Sequence, residues 1–550
     1  MKFSNILRVI ILVSFLFASS FSFLFAQSND NRASKYWVFF TDKDDVIFNP
    51  REYFDAKAIE RRINNGLPLN DYTDLPVKEN YILQIKNLVD SITKSTRWFN
   101  ALACYATETQ LEQVKRLPFV SFVEPMLLES SLAAVAETNF DMELTASDKE
   151  LLRKQTESMG AKHFSENGWD GKGIRIAIFD AGFPTVDVNP AFEHIQKENR
   201  IIKTYDFVKN KENVYGYNAH GTMVMSCIGG MINGTKIGLA TGAEFLLART
   251  ERAKLEPFSE EENWLAAVEW ADKNGAQIIN SSLGYTYHRY FSSQMDGKTS
   301  LVSRAANMAA SKGILVVNAA GNEGTGRWKH LGTPADADSV LSVGGIDPKS
   351  DLHTSFSSYG PTADKRLKPN VSAFGHVIAS GEEKLTQTQG TSFSSPLVAG
   401  FAACAWQSNK SLKNMELFKE IERSGNLYPY FDYGHGYGIP QADYFTDKGK
   451  NEVAPTFDLV IDRGAVRVVI KDEYFYEKSL ASMDTVNEDI INFKRDYLYY
   501  HIENNSGSLD KYYVIETKEK NVLELFKDDY LKGQTLRIHY RNYTETYKFN

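Results

Sequence analysis

Three polar residues in the middle of the chain stand where chemistry could be done. Asp180 ends the apolar run 174–179 and is followed by Ala181-Gly182. That places a turn at the carboxyl edge of a strand, where open α/β sheets put their sites. His220 lies in Asn218-Ala219-His220-Gly221-Thr222, ahead of a small-residue helical stretch. Ser392 lies in Gly390-Thr391-Ser392-Phe393-Ser394-Ser395-Pro396, ahead of the apolar run 397–403. A serine hydroxyl is a weak nucleophile at neutral pH. It needs a base within hydrogen-bond reach, and the base needs a carboxylate that fixes its tautomer and stabilises the imidazolium. Asp180, His220 and Ser392 supply one of each. Taken singly, each also has a structural reading: a turn-capping aspartate, one of ten histidines, a helix-capping serine. A helix starting at Ser392 would, in addition, aim free N–H groups and the positive end of its dipole at a bound anion.

Such residues need a rigid frame. From Gly171 onward, apolar runs of parallel-strand type recur at 174–180, 244–247, 277–282, 314–318 and 340–343. Helical stretches lie between them, one from Ser259 with Trp264, Leu265, Val268 and Ala271 on one face, another at 301–312. Strands alternating with helices predict an α/β fold, a parallel sheet covered on both faces. Gly171 and Gly173 precede the first strand, whereas a dinucleotide-binding loop would follow it. Upstream, residues 33–130 read as a small α+β domain, with strands at 36–40, 98–106 and 120–125 and helical stretches at 56–64, 89–92 and 107–117. Residues 131–156 read as a linker. From 453 to 550 the pattern changes to short aromatic and β-branched strands at 457–461, 466–470, 497–502, 512–516 and 535–540. This is an antiparallel all-β domain whose role is open, an adhesion or glycan-binding module among the alternatives.

At Asp180-Ala181-Gly182, His220-Gly221-Thr222 and Gly390 to Pro396 the chain resembles the subtilisin-like serine peptidases, which carry D-x-G, H-G-T and G-T-S-x-[SA]-x-P. The resemblance covers residues 157–447. It implies a subtilisin-like parallel sheet flanked by helices and a serine endopeptidase that hydrolyses polypeptides through an acyl-enzyme, without cofactor or metal. Asp180, His220 and Ser392 are then the catalytic residues. The segment Ala319-Ala320-Gly321-Asn322 is similar to that family's oxyanion-hole segment, with Asn322 as the side-chain donor. Ser282-Leu283-Gly284 and Ala319-Ala320-Gly321 match its substrate-binding walls, along which an extended peptide would pair. Residues 33–130 resemble its inhibitory propeptide, so the chain's own propeptide would be an intramolecular inhibitor, cut away within 130–160. Two departures stand out: Ala181 where the family often has Ser or Thr, and Met223 where a second His is frequent.

Composition bounds the rest. A chain of 550 residues is too long for one core. A net charge of -8 leaves no electrostatic footprint for nucleic acid. Lys2 and Arg8 precede the apolar stretch 9–25, so residues 1–26 read as a signal peptide, which predicts an exported protein with no stable membrane span after cleavage. Cys104, Cys227 and Cys404 cannot form a disulfide framework; buried free thiols or one Cys227–Cys404 bridge remain as alternatives.

Overall fold

A computed structural model describes residues 32–126, 144–252, 259–287, 289–446, 453–475, 496–517 and 521–550. The predicted signal peptide, and the predicted processing segment as far as residue 143, lie outside the described residues.

The N-terminal elements are β1 (Ser34–Phe40), α1 (Ala56–Asn64), α2 (Glu79–Lys86), β2 (Ser91–Thr96), β3 (Ala101–Ala106), α3 (Glu108–Lys115) and β4 (Val120–Met126). One compact unit takes the described part of Met1–Asp42 together with Lys78–Lys94 and Ala101–Met126. Its sheet has the order β2-β3-β1-β4, with β1 antiparallel to both β3 and β4. Helix α3 opens on a capping box between Thr107 and Gln110. Two expectations shift here. The helical stretch expected at 89–92 is replaced by the upstream helix α2, because Ile92, Thr93 and Thr96 are β-branched and pair better as strand β2. The strand expected from Trp98 begins only at Ala101, since Asn100 adopts φ 50° and turns the chain.

The second compact unit holds Lys43–Val77, Ser95–Asn100 and everything after residue 126. In chain order it adds α4 (Ala146–Glu157), β5 (Arg175–Asp180), β6 (Ile201–Asp206), α5 (His220–Gly229), β7 (Glu244–Arg249), α6 (Ser259–Lys273), β8 (Ile278–Ser281), α7 (Leu301–Ser311), β9 (Leu315–Ala319), β10 (Val340–Ile346) and β11 (Val371–Phe374). After these come the hairpin β12 (His376–Ser380) and β13 (Leu385–Gln389), then α8 (Thr391–Ser408) and α9 (Asn414–Arg423). Strands β5 to β11 form one seven-stranded sheet in the order β11-β10-β9-β8-β5-β7-β6, parallel throughout. Central strands such as β5 and β9 are buried at every position, as a sheet covered on both faces requires. Val224, Cys227 and Ile228 of α5 share one core with Val398, Phe401 and Ala402 of α8 and with sheet residues such as Ile176 and Val317. Helix α4 starts inside the stretch read as a linker. It is tied to the frame through buried Gln155, whose amide donates to the carbonyls of Ile237 (2.8 Å) and Ile378 (3.1 Å).

Residues 43–77 are joined to the same unit by buried charge. Asp272 of α6 accepts from Arg62 at 2.8 and 3.0 Å and also from Arg61, while Asp74 binds Arg62 at 3.3 Å and Lys312 at 2.9 Å. Burial alone would raise the Asp272 pKa, but the two guanidinium groups hold it below the usual carboxylate range. Buried pairs of this kind add little net stability, yet breaking one leaves an uncompensated charge, so they fix a docking geometry firmly.

The C-terminal strands are β14 (Phe457–Ile461), β15 (Ala465–Ile470), β16 (Tyr497–Glu503), β17 (Leu509–Glu516), β18 (Val522–Phe526), β19 (Thr535–Tyr540) and β20 (Tyr543–Lys548). They make a three-stranded sheet, β14-β15-β18, and a four-stranded sheet, β17-β16-β19-β20. The two sheets share one core of Phe457, Val466, Val468, Leu498, Ile502 and Leu536 with their neighbours. Every described pairing here is antiparallel, as predicted.

Candidate functional site

Asp180 is the last residue of β5 and is wholly buried. His220 is the first residue of α5, and its backbone N–H donates to Asn218 Oδ1 at 2.7 Å. The two meet because residue 221 is a glycine. A Cβ there would stand 2.2 Å from the Gly182 carbonyl and 3.0 Å from the Asp180 Cβ, so any larger residue would push α5 away from β5. His220 Nδ1 lies 2.9 Å from Asp180 Oδ1 and 3.0 Å from Oδ2. With a carboxylate on Nδ1, that nitrogen carries the proton and Nε2 is the basic one. The His220 side chain stays 19% exposed, whereas Asp180 is wholly buried. Ala181 brings no side-chain hydroxyl to the carboxylate, and its backbone N–H donates to Asp180 Oδ1 at 2.7 Å.

Ser392 sits in the first turn of α8, half-buried, on a chain that enters through Gly390 at φ 138°. The next residue, Phe393, lays its ring 5.3 Å from the His220 imidazole, so the histidine and the serine segment lie side by side. Pro396 explains a local detail. It has no N–H, so the carbonyl four residues back, that of Ser392, lacks its helical partner. Ser282 Oγ supplies the bond instead, at 2.8 Å, while Ser392 Oγ donates to the Ser282 carbonyl at 3.2 Å. Behind this pair, Asn280 Nδ2 donates to Ser282 Oγ (3.2 Å) and Ser395 Oγ donates to Asn280 Oδ1 (2.9 Å). The polar chain welds β8 to α8 beneath Ser392.

Asn322 lies on the turn after β9. Its Oδ1 accepts from the Thr391 N–H (2.9 Å) and the Thr391 hydroxyl (3.0 Å). Those bonds orient the amide, and its exposed Nδ2 has no partner among the described residues. A donor held in place by its own oxygen, beside a helix N-terminus, can receive negative charge with little reorganisation. Of the expected wall residues, Gly284 and Gly321 keep open surface, whereas Ser282, Leu283, Ala319 and Ala320 are buried. Ala320 packs with Leu331 and Ala335.

Several supporting residues were not anticipated. Arg249 ends β7 level with Asp180 on β5, donates to the Ala181 carbonyl at 3.0 Å and pairs with buried Asp206 at 3.0 Å. Its guanidinium lies 3.5 Å from the ring centroid of exposed Tyr217. A charged residue closing an apolar strand was the available signal, the same one that marked Asp180. For Asn280 it was an amide inside the apolar strand Ile278–Ser281. Cys227 and Cys404 are free buried thiols, and burial pushes Cys227 up to about 12, which makes it unreactive. Among the described residues, no group of three or more His, Cys, Asp or Glu side chains is placed to hold a metal ion. No described helix is long and apolar enough to cross a membrane.

Comparison with known proteins identifies relatives of the chain. Residues 171–438 match the subtilase family, and residues 35–140 match the peptidase S8 propeptide domain of Bacteroidota. The chain is 28% identical over 348 residues to the thermophilic serine proteinase of Bacillus sp. (strain AK1), covering 61% of this chain and 76% of that protein. It is 30% identical over 338 residues to the serine protease AprX of Bacillus subtilis (strain 168), covering 55% and 72% respectively. Subtilisin DY of Bacillus licheniformis is 29% identical over 271 residues, 49% of this chain and 90% of that protein.

Proposed function

The chain belongs to the subtilase family, as a serine endopeptidase with a propeptide domain, and on that premise we propose that Ser392 is its nucleophile, His220 its base and Asp180 the carboxylate that orients the base. An extended peptide lies along residues 282–284 with its scissile carbonyl over Ser392. Ser392 Oγ attacks while His220 Nε2 takes its proton, and the resulting imidazolium is stabilised by Asp180 across the Nδ1 bond. The tetrahedral oxygen receives hydrogen bonds from Asn322 Nδ2 and the Ser392 N–H. His220 then returns the proton to the leaving amine, the acyl-enzyme forms, and water repeats the sequence in reverse. The observation that carries this reading is the pair of bonds from His220 Nδ1 to both oxygens of buried Asp180. Labelling of the processed protein with a fluorophosphonate tests it. Labelling should occur in the native sequence and vanish in Ser392→Ala; an unlabelled native protein would refute the assignment.

The same reading extends to biogenesis. Residues 1–26 direct export, and the propeptide domain inhibits the enzyme until the chain is cut. Burial of Gln155 of α4 against the frame supports a cut before Thr145. N-terminal sequencing of secreted protein checks this: a terminus between residues 127 and 145 supports it, and one still near Gln27 would not.

A further inference from the structure

The C-terminal β unit has no assigned role, yet it meets the peptidase frame through polar contacts, two of them buried, that continue toward Asn322. After α9 the chain runs through a loop whose carbonyls are held by the strands beyond. His501 Nδ1 lies 2.5 Å from the Phe431 carbonyl, and Arg537 donates to the Pro429 carbonyl at 3.0 Å. In the other direction, the Tyr433 hydroxyl donates to the Leu509 carbonyl at 3.2 Å. Tyr430 is wholly buried between the two parts, its ring 5.0 Å from His501 and 5.6 Å from Tyr499.

From Tyr430 the contacts lead inward. Its hydroxyl donates to Asp432 Oδ2 (3.1 Å), and Asp432 accepts His435 Nδ1 at 2.9 and 3.0 Å. His435 Nε2 accepts the backbone N–H of His353 at 2.9 Å. That segment reaches both neighbours of Asn322. The Ser358 N–H donates to the Gly321 carbonyl (2.9 Å), and Ser358 Oγ accepts the Glu323 N–H (3.1 Å). The Gly324 N–H also donates to the Phe356 carbonyl at 2.8 Å. A Cβ on Gly321 would come 2.7 Å from Ser358 Oγ, so the turn bearing Asn322 lies directly against the segment.

We propose that the C-terminal β unit is a buttress for the oxyanion turn, and that His435 is the positioning residue through which it acts. The proposal rests on the reading of Asn322 as the oxyanion donor. Spatial continuity shows where coupling can travel; a double-mutant cycle shows whether it does. The test measures kcat and KM separately on a chromogenic peptide, with full-length chains allowed to process and their melting checked. His435→Ala should lower kcat about tenfold at unchanged KM, within the range of such couplings. His435→Gln, whose amide oxygen can accept the His353 N–H, should recover most of that loss. In an Asn322→Ala background, His435→Ala should cost nothing further. Tyr430→Phe removes only the hydroxyl on Asp432 and keeps the test open if His435→Ala does not fold; it should cost about threefold with the same non-additivity. A His435→Ala enzyme with native kcat, or a loss that recurs in full in the Asn322→Ala background, overturns the buttress. Native kcat in Asn322→Ala alone instead rejects the oxyanion assignment, and the buttress falls with it.

Discussion

The molecule contains two Asp–His pairs of nearly the same local geometry. His220 Nδ1 lies 2.9 and 3.0 Å from the oxygens of Asp180, and His435 Nδ1 lies 3.0 and 2.9 Å from those of Asp432. Both aspartates are wholly buried. They differ in what surrounds them. His220 remains 19% exposed with the Phe393 ring 5.3 Å from it, whereas His435 is 5% exposed and its Nε2 is occupied by a backbone N–H. Among the described residues, Asp180 accepts one backbone N–H besides its histidine, from Ala181. Asp432 accepts two, from Gly434 and His435, and the Tyr430 hydroxyl as well. Burial alone would raise the Asp432 pKa; His435 and these donors hold it below the usual range. A partly exposed imidazole held by a lightly hydrogen-bonded carboxylate suits the proposed proton transfer. An imidazole saturated on both nitrogens can only hold a loop.

Charge removal should separate the two. Asp180→Asn should lower kcat by about 10^4 with little change in melting temperature, because the wrong tautomer is held in an unchanged place. Asp432→Asn should instead cost about 3 kcal/mol of stability, as when one partner of a buried pair is lost, with a far smaller effect on kcat. Kinetics and thermal melts on both variants check this. Equal losses of kcat at native stability would collapse the distinction. Next in size is Asn322→Ala, expected to lower kcat about 10^2–10^3-fold with KM little changed, measured on the same peptide substrate.

The Asp180–His220 half of this comparison was legible in the sequence and the Asp432–His435 half was not. Asp180, His220 and Ser392 stand in glycine-bracketed turns because tight backbone approaches, such as that of Gly221 to Gly182, tolerate nothing larger. Such constraints are local and leave motifs. The His435–His353 bond joins residues 82 positions apart, and the Asn280–Ser395 bond joins residues 115 apart. Which polar groups meet across such distances is decided by packing. Strands failed for related reasons. Ile201–Asp206 is an edge strand with partly exposed positions and a mixed sequence, and Val371–Phe374 has only four residues. Tyr543–Lys548 is a polar edge strand that becomes visible only through its pairing with Thr535–Tyr540.

Acid should destabilise the fold through two buried histidines, one of them beside His435. Burial, then nearby His435, pushes His353 down to about 4, and burial pushes His539 down to about 4. A free imidazole titrates near 6.5, so between about 4 and 6.5 the unfolded chain binds more protons than the folded one. These two groups therefore contribute their full stability above about 6.5 and lose it as the pH falls toward 4. Each should cost about 2 kcal/mol between pH 7.5 and pH 5, at about 1.4 kcal/mol per unit. Melting curves across that range should show the fall, and His539→Gln should reduce its slope. A slope unchanged in that variant would remove His539 from the account.

The smallest effect tests the Asp180 side of the comparison. Ala181 is buried beside the carboxylate, and its N–H is the only backbone donor Asp180 has among the described residues. Ala181→Ser would offer a second donor and move Asp180 one step toward the crowded environment of Asp432. Each added hydrogen bond spreads the negative charge that must stabilise the imidazolium, while it also holds the carboxylate more firmly in plane with the ring. The two consequences oppose each other, so kcat/KM should change by less than about twofold, equivalent to about 0.4 kcal/mol. Steady-state kinetics at neutral pH resolves a change of that size. A gain of tenfold or more would mean that one N–H leaves Asp180 poorly oriented, and that the second dyad, with its fuller set of donors, is the better-built of the two.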